Sequence, residues 1–373
     1  MLVGVPKEIK NHEYRVGLTP TSAREMIKQG HDVIVEANAG TGIGAADGEY
    51  QAAGARVVDS AEEIFARADM VIKVKEPQAV ERAMLREGQI LYTYLHLAPD
   101  PAQAEDLVDS GATCIAYETV TSPFGGLPLL GPMSKVAGRM SVQAGAYCLE
   151  QPHGGRGMLL GGVPGVDPAK VVVLGSGVVG THACHIAVGM GADVWVLDNN
   201  PYALERHWQQ FQRTTNSVFS TADALEQHVL GADLVIGGVL IPGAEAPKLV
   251  TAEMVKNMKR GSVIVDVAID QGGCCETSRA TTHAEPTYMV DDVVHYCVAN
   301  MPGGVPRTST FALNNVTLPF AIALANKGAR EALMEDEHLR NGLNVCAGKI
   351  TYREVAEDLG FEYHDAVSAL AGT

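Results

Sequence analysis

The sequence predicts an α/β protein of two domains, each built on a mostly parallel sheet, with a cleft separating them. Three observations carry that reading. Short β-branched runs alternate with helix-like stretches in two separate series, a strand–glycine turn–helix–strand motif opens the second series, and two Gly/Pro-rich stretches bracket it.

In the first series, Leu2–Val5, Asp32–Glu36, Met70–Val74, Ile90–Leu95 and Thr113–Tyr117 read as strands. Thr21–Gln29, Ala61–Ala66, Ala79–Arg86 and Pro101–Asp109 read as the helices between them. A strand followed by a helix and another strand returns parallel to the first, which buries both faces of the sheet. The second series runs through Val171–Leu174, Val194–Leu197, Leu234–Ile236, Val263–Val267 and Val294–Val298. The stretches Phe124-Gly125-Gly126-Leu127-Pro128 and Met301-Pro302-Gly303-Gly304-Val305-Pro306 read as paired hinges, the alternative being two surface loops within one domain. Beyond the second, a helical segment from about Thr317 to Glu335 begins a tail too short for another full domain, so it is expected to pack on the first. The expected domains are therefore residues 1–128 with 307–373, a discontinuous substrate/catalytic domain, and residues 129–306, a nucleotide-binding domain.

Composition narrows the function classes. The 373 residues carry a formal charge of -16, which argues against nucleic acid or an anionic membrane surface as a partner, since both demand basic patches. Residues 1–7 enter a strand pattern at once, without the basic start and apolar core of a signal peptide. Nowhere does the chain approach the roughly 20 uninterrupted apolar residues that span a bilayer. A cytoplasmic location is expected. The seven cysteines are odd in number and scattered, and read as reduced; the adjacent Cys274 and Cys275 lack a neighbouring ligand set and make a poor zinc site.

The motif with most chemistry is Val171-Val172-Val173-Leu174 running into Gly175-Ser176-Gly177-Val178-Val179-Gly180, then a helical stretch to about Met190 and a strand ending at Asp198. A lone glycine pattern is weak, but here strand, turn, helix, second strand and an acidic residue about 20 positions on all occur in order. Gly175 permits the tight turn, Gly177 lets backbone approach a pyrophosphate, and Gly180 lets helix and strand pack closely. The phosphates then meet unpaired N–H groups at the helix start. Asp198 would accept hydrogen bonds from the adenosine ribose and repel a 2'-phosphate, favouring NAD over NADP, with Arg206 near enough in sequence to temper that preference. The two domains are accordingly expected to be Rossmann-like.

In open parallel sheets, ligands bind beyond the carboxyl ends of the strands. Four polar residues occupy such places: Arg15 in the loop after the first strand, Lys75 ending Val71–Lys75, His96 ending Leu91–His96, and Asp270 after Val265–Ile269. Arg can grip a carboxylate with paired hydrogen bonds, Lys can polarise a carbonyl oxygen, His titrates near neutrality, and Asp can order water. Singly, Arg15 or Lys75 reads equally well as a surface ion pair and His96 as a structural histidine; jointly they suit hydride chemistry on a small acid. Lys73 and Lys7 lie close enough in sequence to share the role of Lys75.

Gly4-Val5-Pro6-Lys7-Glu8-Ile9-Lys10-Asn11 through Arg15-Val16 closely resembles the opening of the bacterial alanine dehydrogenases. Gly131-Pro132-Met133-Ser134-Lys135-Val136-Ala137-Gly138-Arg139, the glycine loop to Thr181, and Asn300–Thr310 extend the resemblance over essentially the full length. The resemblance implies NAD-dependent, reversible oxidative deamination of L-alanine to pyruvate and ammonium, in a homohexamer. It implies that Arg15 and Lys75 bind substrate, that His96 is the catalytic acid/base, and that Asp270 is the second catalytic residue. It further implies that Ser134, Val178, Val179, Asp198, Ser220, Val239, Leu240, Val267, Ala268, Ile269, Asp270, Arg279, Val298, Ala299, Asn300 and Met301 line the NAD site. The place where a metal has been suggested, near the helix after Pro319, offers only Ala323 and Lys327, so no metal is expected. The nearest rival is the soluble nucleotide-binding domain of a proton-translocating transhydrogenase, with saccharopine-type dehydrogenases more distant. A catalytically silent NAD-binding regulatory module is the rival from another class.

Overall fold

The computed structural model describes residues 1–239 and 246–372. The chain divides into two compact units, one formed by Met1–Met133 with Val305–Thr373 and the other by Ser134–Gly304.

The first unit carries an eight-stranded sheet made of β1 (Leu2–Val5), β2 (Asp32–Glu36), β3 (Arg56–Val58), β4 (Met70–Ile72), β5 (Ile90–Thr93), β6 (Thr113–Ala116) and two strands from the chain's far end. The spatial order is Leu343–Cys346 beside β6, then β5, β4, β1, β2 and β3, with Lys349–Ile350 outermost. From β6 to β3 every pair is parallel, while Leu343–Cys346 joins β6 antiparallel. Helices begin where sequence chemistry tells them to. Thr19 accepts the Ser22 N–H at 3.1 Å and Pro20 takes the first turn, where its missing N–H costs nothing; Asp100 does the same for Gln103 at 3.0 Å ahead of Pro101. Ile64, Phe65, Leu91 and Leu107 fill the core between helices and sheet.

The second unit holds a seven-stranded sheet of β7 (Lys170–Leu174), β8 (Asp193–Asp198), β9 (Asn216–Phe219), β10 (Leu234–Gly237), β11 (Val263–Asp266), β12 (Thr287–Val290) and β13 (Val293–Tyr296). Its order is β12-β13-β11-β10-β7-β8-β9, parallel except for the β12–β13 pair. Along β7, Val171 and Val173 enter one core and Val172 and Leu174 the other, so both faces of the strand are dry and an unbroken apolar run is what the fold requires.

Several elements differ from the sequence reading. The strands before Lys75 and His96 stop at Ile72 and Thr93, so both residues stand beyond the sheet rather than at its last rung. The stretch read as the second hinge is a 3-10 turn, Met301–Gly304, and the helix after it begins at Pro306 and not near Thr317. That helix runs to Glu335 through a break at Gly328, whose φ of 77° is non-helical.

Candidate functional site

In the first sheet the chain builds outward from β1 to β2 and β3, then crosses back to lay β4 on the other side of β1. The switch point therefore lies between β1 and β4, the place where an open parallel sheet leaves a crevice beyond its strand ends. The segments leaving those two strands carry Arg15 and Lys75. Gly17 fixes their approach: a Cβ there would lie 2.3 Å from the Ile72 carbonyl oxygen, so only glycine lets this loop press onto the end of β4. From the far end of the chain, Asn314 accepts the Thr19 N–H at 2.9 Å and donates to the Gly17 carbonyl at 3.0 Å.

Arg15 is buried, and Glu13 accepts its Nε at 2.7 Å and its Nη2 at 2.6 Å, while Nη1 lies 3.0 Å from the Met133 sulfur. Burial opposes the guanidinium charge, but the hydrogen bonds and charge of Glu13 outweigh it and hold the pKa above its usual value. A cleft of about 670 Å³ opens beside this loop, lined by residues 7–15 and the turn after β2. Glu8 ties the two segments together, accepting the Val74 N–H at 2.7 Å and the Lys75 N–H at 3.4 Å. The Lys75 ammonium lies 3.9 Å from Glu76, with its side chain 12% exposed.

Lys73 sits in a different environment from Lys75. It is fully buried and held by Glu81 at 2.7 Å and Glu8 at 3.1 Å, and these two carboxylates keep its pKa raised against burial. Lys7 lines the cleft, and its own N–H donates to Glu36 at 2.7 Å.

His96 follows β5 with a left-handed φ of 49°, its ring stacked on Tyr94 at a centroid distance of 5.7 Å. Burial, joined by the positive charges of Lys75, Lys10 and Arg15, pushes its pKa down to about 4 against the opposing pull of Glu118. Its side chain keeps 39% of its surface, and solvent at that edge offsets part of the desolvation. Burial and the neighbouring cations thus favour the neutral form of the ring. Glu118 and Glu13 were absent from the sequence reading. Their signal, an acidic residue within a few positions of a strand end, does not stand out from ordinary surface charge.

In the second sheet the switch point lies between β7 and β10. Gly175 turns there with φ 95°, and a Cβ on it would lie 3.1 Å from the Gly238 oxygen and 3.4 Å from Val239 Cα, which places Val239 beside the glycine loop. A Cβ on Gly180 would lie 1.8 Å from the Gly175 carbonyl oxygen, whereas one on Gly177 meets nothing within 4 Å. The loop is closed on its inner side and open at Gly177, the shape a pyrophosphate needs. Val178 and Val179 begin the helix Val178–Gly189, with Val178 46% exposed. Asp198 ends β8 and braces the loop, accepting the Ser176 N–H and hydroxyl at 2.7 Å each and the Asn200 N–H at 2.8 Å. The Ser220 N–H donates to the Asp198 carbonyl at 3.0 Å.

Asp270 is exposed in the 3-10 segment Val267–Gln271, which Asp266 starts by accepting the Ala268 N–H at 3.1 Å. Ala268, Ile269, Val298 and Met301 have buried side chains, while Val267, Ala299 and Asn300 are half-buried. The Arg279 guanidinium lies over the Tyr288 ring at 4.1 Å. Ser134 is half-buried in the helix Gly131–Cys148, and Leu240 lies outside the described residues. Among the described residues no group of three or more His, Cys, Asp or Glu is arranged to hold a metal, and no helix is long and apolar enough to cross a membrane. All seven cysteines are free and buried.

Residues 4–137 match the N-terminal domain of the alanine dehydrogenase/PNT family and residues 141–353 its C-terminal domain. An alanine dehydrogenase of Halomonas elongata is 60% identical over 370 residues, covering 99% of this chain and 100% of that protein. A solved L-alanine dehydrogenase superposes with a TM-score of 0.93 at 52% identity, over 96% of this chain and 99% of the other. A transhydrogenase structure from Sinorhizobium meliloti superposes with a TM-score of 0.80 at 27% identity, over 95% and 99%. With both family domains matched in order along one chain that carries both switch-point sites, the protein belongs to the alanine dehydrogenase/PNT family.

Proposed function

We propose that this chain catalyses the reversible, NAD-dependent oxidative deamination of L-alanine to pyruvate and ammonium. The observation that carries the reading is the pair of cations, Arg15 and Lys75, on the two segments leaving the first sheet's switch point, in a chain that resembles alanine dehydrogenases from end to end. The first unit is the substrate domain and the second the NAD domain. The open side of the glycine loop at Gly177 fits a pyrophosphate, and the Asp198 carboxylate disfavours a 2'-phosphate, which selects NAD. When bound, the nicotinamide supplies the two-electron acceptor for the hydride leaving Cα.

Arg15 binds the substrate carboxylate, its guanidinium held in one orientation by the ion pair with Glu13. Lys75 stabilises negative charge as it develops on the substrate oxygen. His96, neutral at pH 7, accepts a proton in the oxidative direction, and Asp270 orders the water that adds to the imine left behind. In the reverse direction His96 returns the proton. A homohexameric assembly and a cytoplasmic location accompany this reading.

The test is absorbance at 340 nm with L-alanine and NAD, with NADP in parallel. Growth of the NADH band with alanine alone supports the reading. Silence with alanine but hydride exchange between two nucleotides would favour the transhydrogenase rival. In His96→Ala, turnover should vanish while NADH binding, followed by its fluorescence, stays within about twofold.

A further inference from the structure

His96 adopts a positive φ of 49° that a residue with a Cβ enters only at a cost, so something must hold it there. The carboxylate of Glu118 does. From the 3-10 turn Tyr117–Thr119, its Oε1 accepts the His96 N–H at 2.6 Å and the Leu95 N–H at 3.1 Å, and Oε2 lies 3.3 Å from the same Leu95 nitrogen. Sheet register delivers it. β5 and β6 run parallel with Thr93 opposite Ala116, so the residues just past each strand end emerge side by side. The same carboxylate stands 3.9 Å from His96 Nδ1, too far for a hydrogen bond yet near enough to act as a charge on a partly buried ring.

We propose that Glu118 is the positioning residue of His96, fixing the left-handed backbone that aims the imidazole and stabilising the imidazolium that forms when the ring takes up a proton. The assignment rests on the dehydrogenase reading above. Among the described residues, the charged groups that weigh most on this ring are Lys75, Lys10 and Arg15, all cations that oppose protonation, and Glu118, an anion that favours it. Tyr94 adds an uncharged stacking surface within 6° of parallel. Without the Glu118 charge the pull of Lys75, Lys10 and Arg15 would be less opposed, and proton uptake would become harder.

Glu118→Gln separates charge from anchoring, because the amide oxygen still accepts backbone N–H groups. Pyruvate amination uses protonated His96, so its kcat/KM falls as pH rises through the histidine's pKa. In the variant that limb should move down by about 0.5 to 1 pH unit, a threefold to tenfold loss at a fixed pH on the limb, with NADH affinity unchanged. Ammonia's own titration is common to both proteins and cancels in their ratio. A variant profile that superimposes on the wild-type limb after scaling overturns the proposal. Should Glu118→Gln fail to fold, Glu118→Asp keeps the charge but shortens its reach: reduced kcat with the limb in place is expected, and wild-type kcat sinks the positioning role. A wild-type protein inactive with pyruvate, ammonium and NADH would defeat the dehydrogenase reading instead, so the two failures are distinct.

Discussion

Glu13 grips Arg15 through both carboxylate oxygens, and neither side chain is more than 2% exposed. The arginine that is proposed to recognise substrate already spends one edge of its guanidinium on a neighbour two residues away. An ammonium cannot span both oxygens, so Arg15→Lys loses the paired geometry. We expect KM for pyruvate to rise at least about tenfold. Arg15→Met removes the guanidinium that Glu13 holds through both oxygens in a buried ion pair, at a cost of about 3–5 kcal/mol read from urea unfolding. A variant with unchanged KM would remove Arg15 from the binding site.

Lys73 and Lys75 should separate cleanly in experiment. Lys73→Met strips a fully buried cation from Glu8 and Glu81 and should cost about 3–5 kcal/mol of stability, seen as a large drop in melting temperature. Lys75→Ala should melt within a few degrees of wild type yet lose roughly 100-fold or more in kcat/KM. The opposite pattern would exchange the two roles.

Two glycines of one loop should fail in different ways. Gly180→Ala forces a methyl to within 1.8 Å of the Gly175 carbonyl oxygen, so the helix must shift and melting temperature must fall. Gly177→Ala meets no protein atom within 4 Å, so the fold should hold while the methyl takes the space of the pyrophosphate. Calorimetry with NADH checks this: about a tenfold or greater weakening at unchanged melting temperature is expected. Undiminished NADH binding would place the dinucleotide elsewhere.

Acid should destabilise the second unit through His207. Its Nε2 is 3.0 Å from the Thr215 hydroxyl oxygen, its Nδ1 is buried without a partner, and burial with help from His185 lowers its pKa to about 4, against a pull from Asp198. An unfolded histidine titrates near 6.5. Between those values the unfolded chain binds a proton the folded one refuses, so stability falls as pH drops from about 6.5 toward 4. The contribution is on the order of 2 kcal/mol. His207→Phe, whose ring can keep the stack on Phe211, should flatten that part of the denaturation profile; an unchanged slope would show that His207 carries none of it.

The elements visible in the sequence were those with a period or a punctuation mark. β1 and β2 are legible because apolar runs are bounded by turn residues, and the glycine loop because strand, turn, helix and acid occur in order. β3 and β9 were not, since Arg56–Val58 and Asn216–Phe219 are short and half polar, and as outer strands they bury little. Strand ends were overrun where alternation continued past the end of the strand, as in Lys73-Val74-Lys75. Lys73 shows the deeper limit. Sequence spacing makes it the twin of Lys75, and only the carboxylates folded around it reveal that it supports structure. Glu118 escaped for the same reason: a pairing across space leaves no mark on the residue that makes it.

One further property follows from the first sheet being completed by strands from the chain's far end. On the ribosome, β6 emerges early and its outer edge has no native partner until Leu343–Cys346 is made, after the whole of the second unit. For that interval it is a bare ladder of amide groups open to any other strand. Nascent chains truncated before residue 343 should accordingly clump during translation, whereas those released after Ile350 should not.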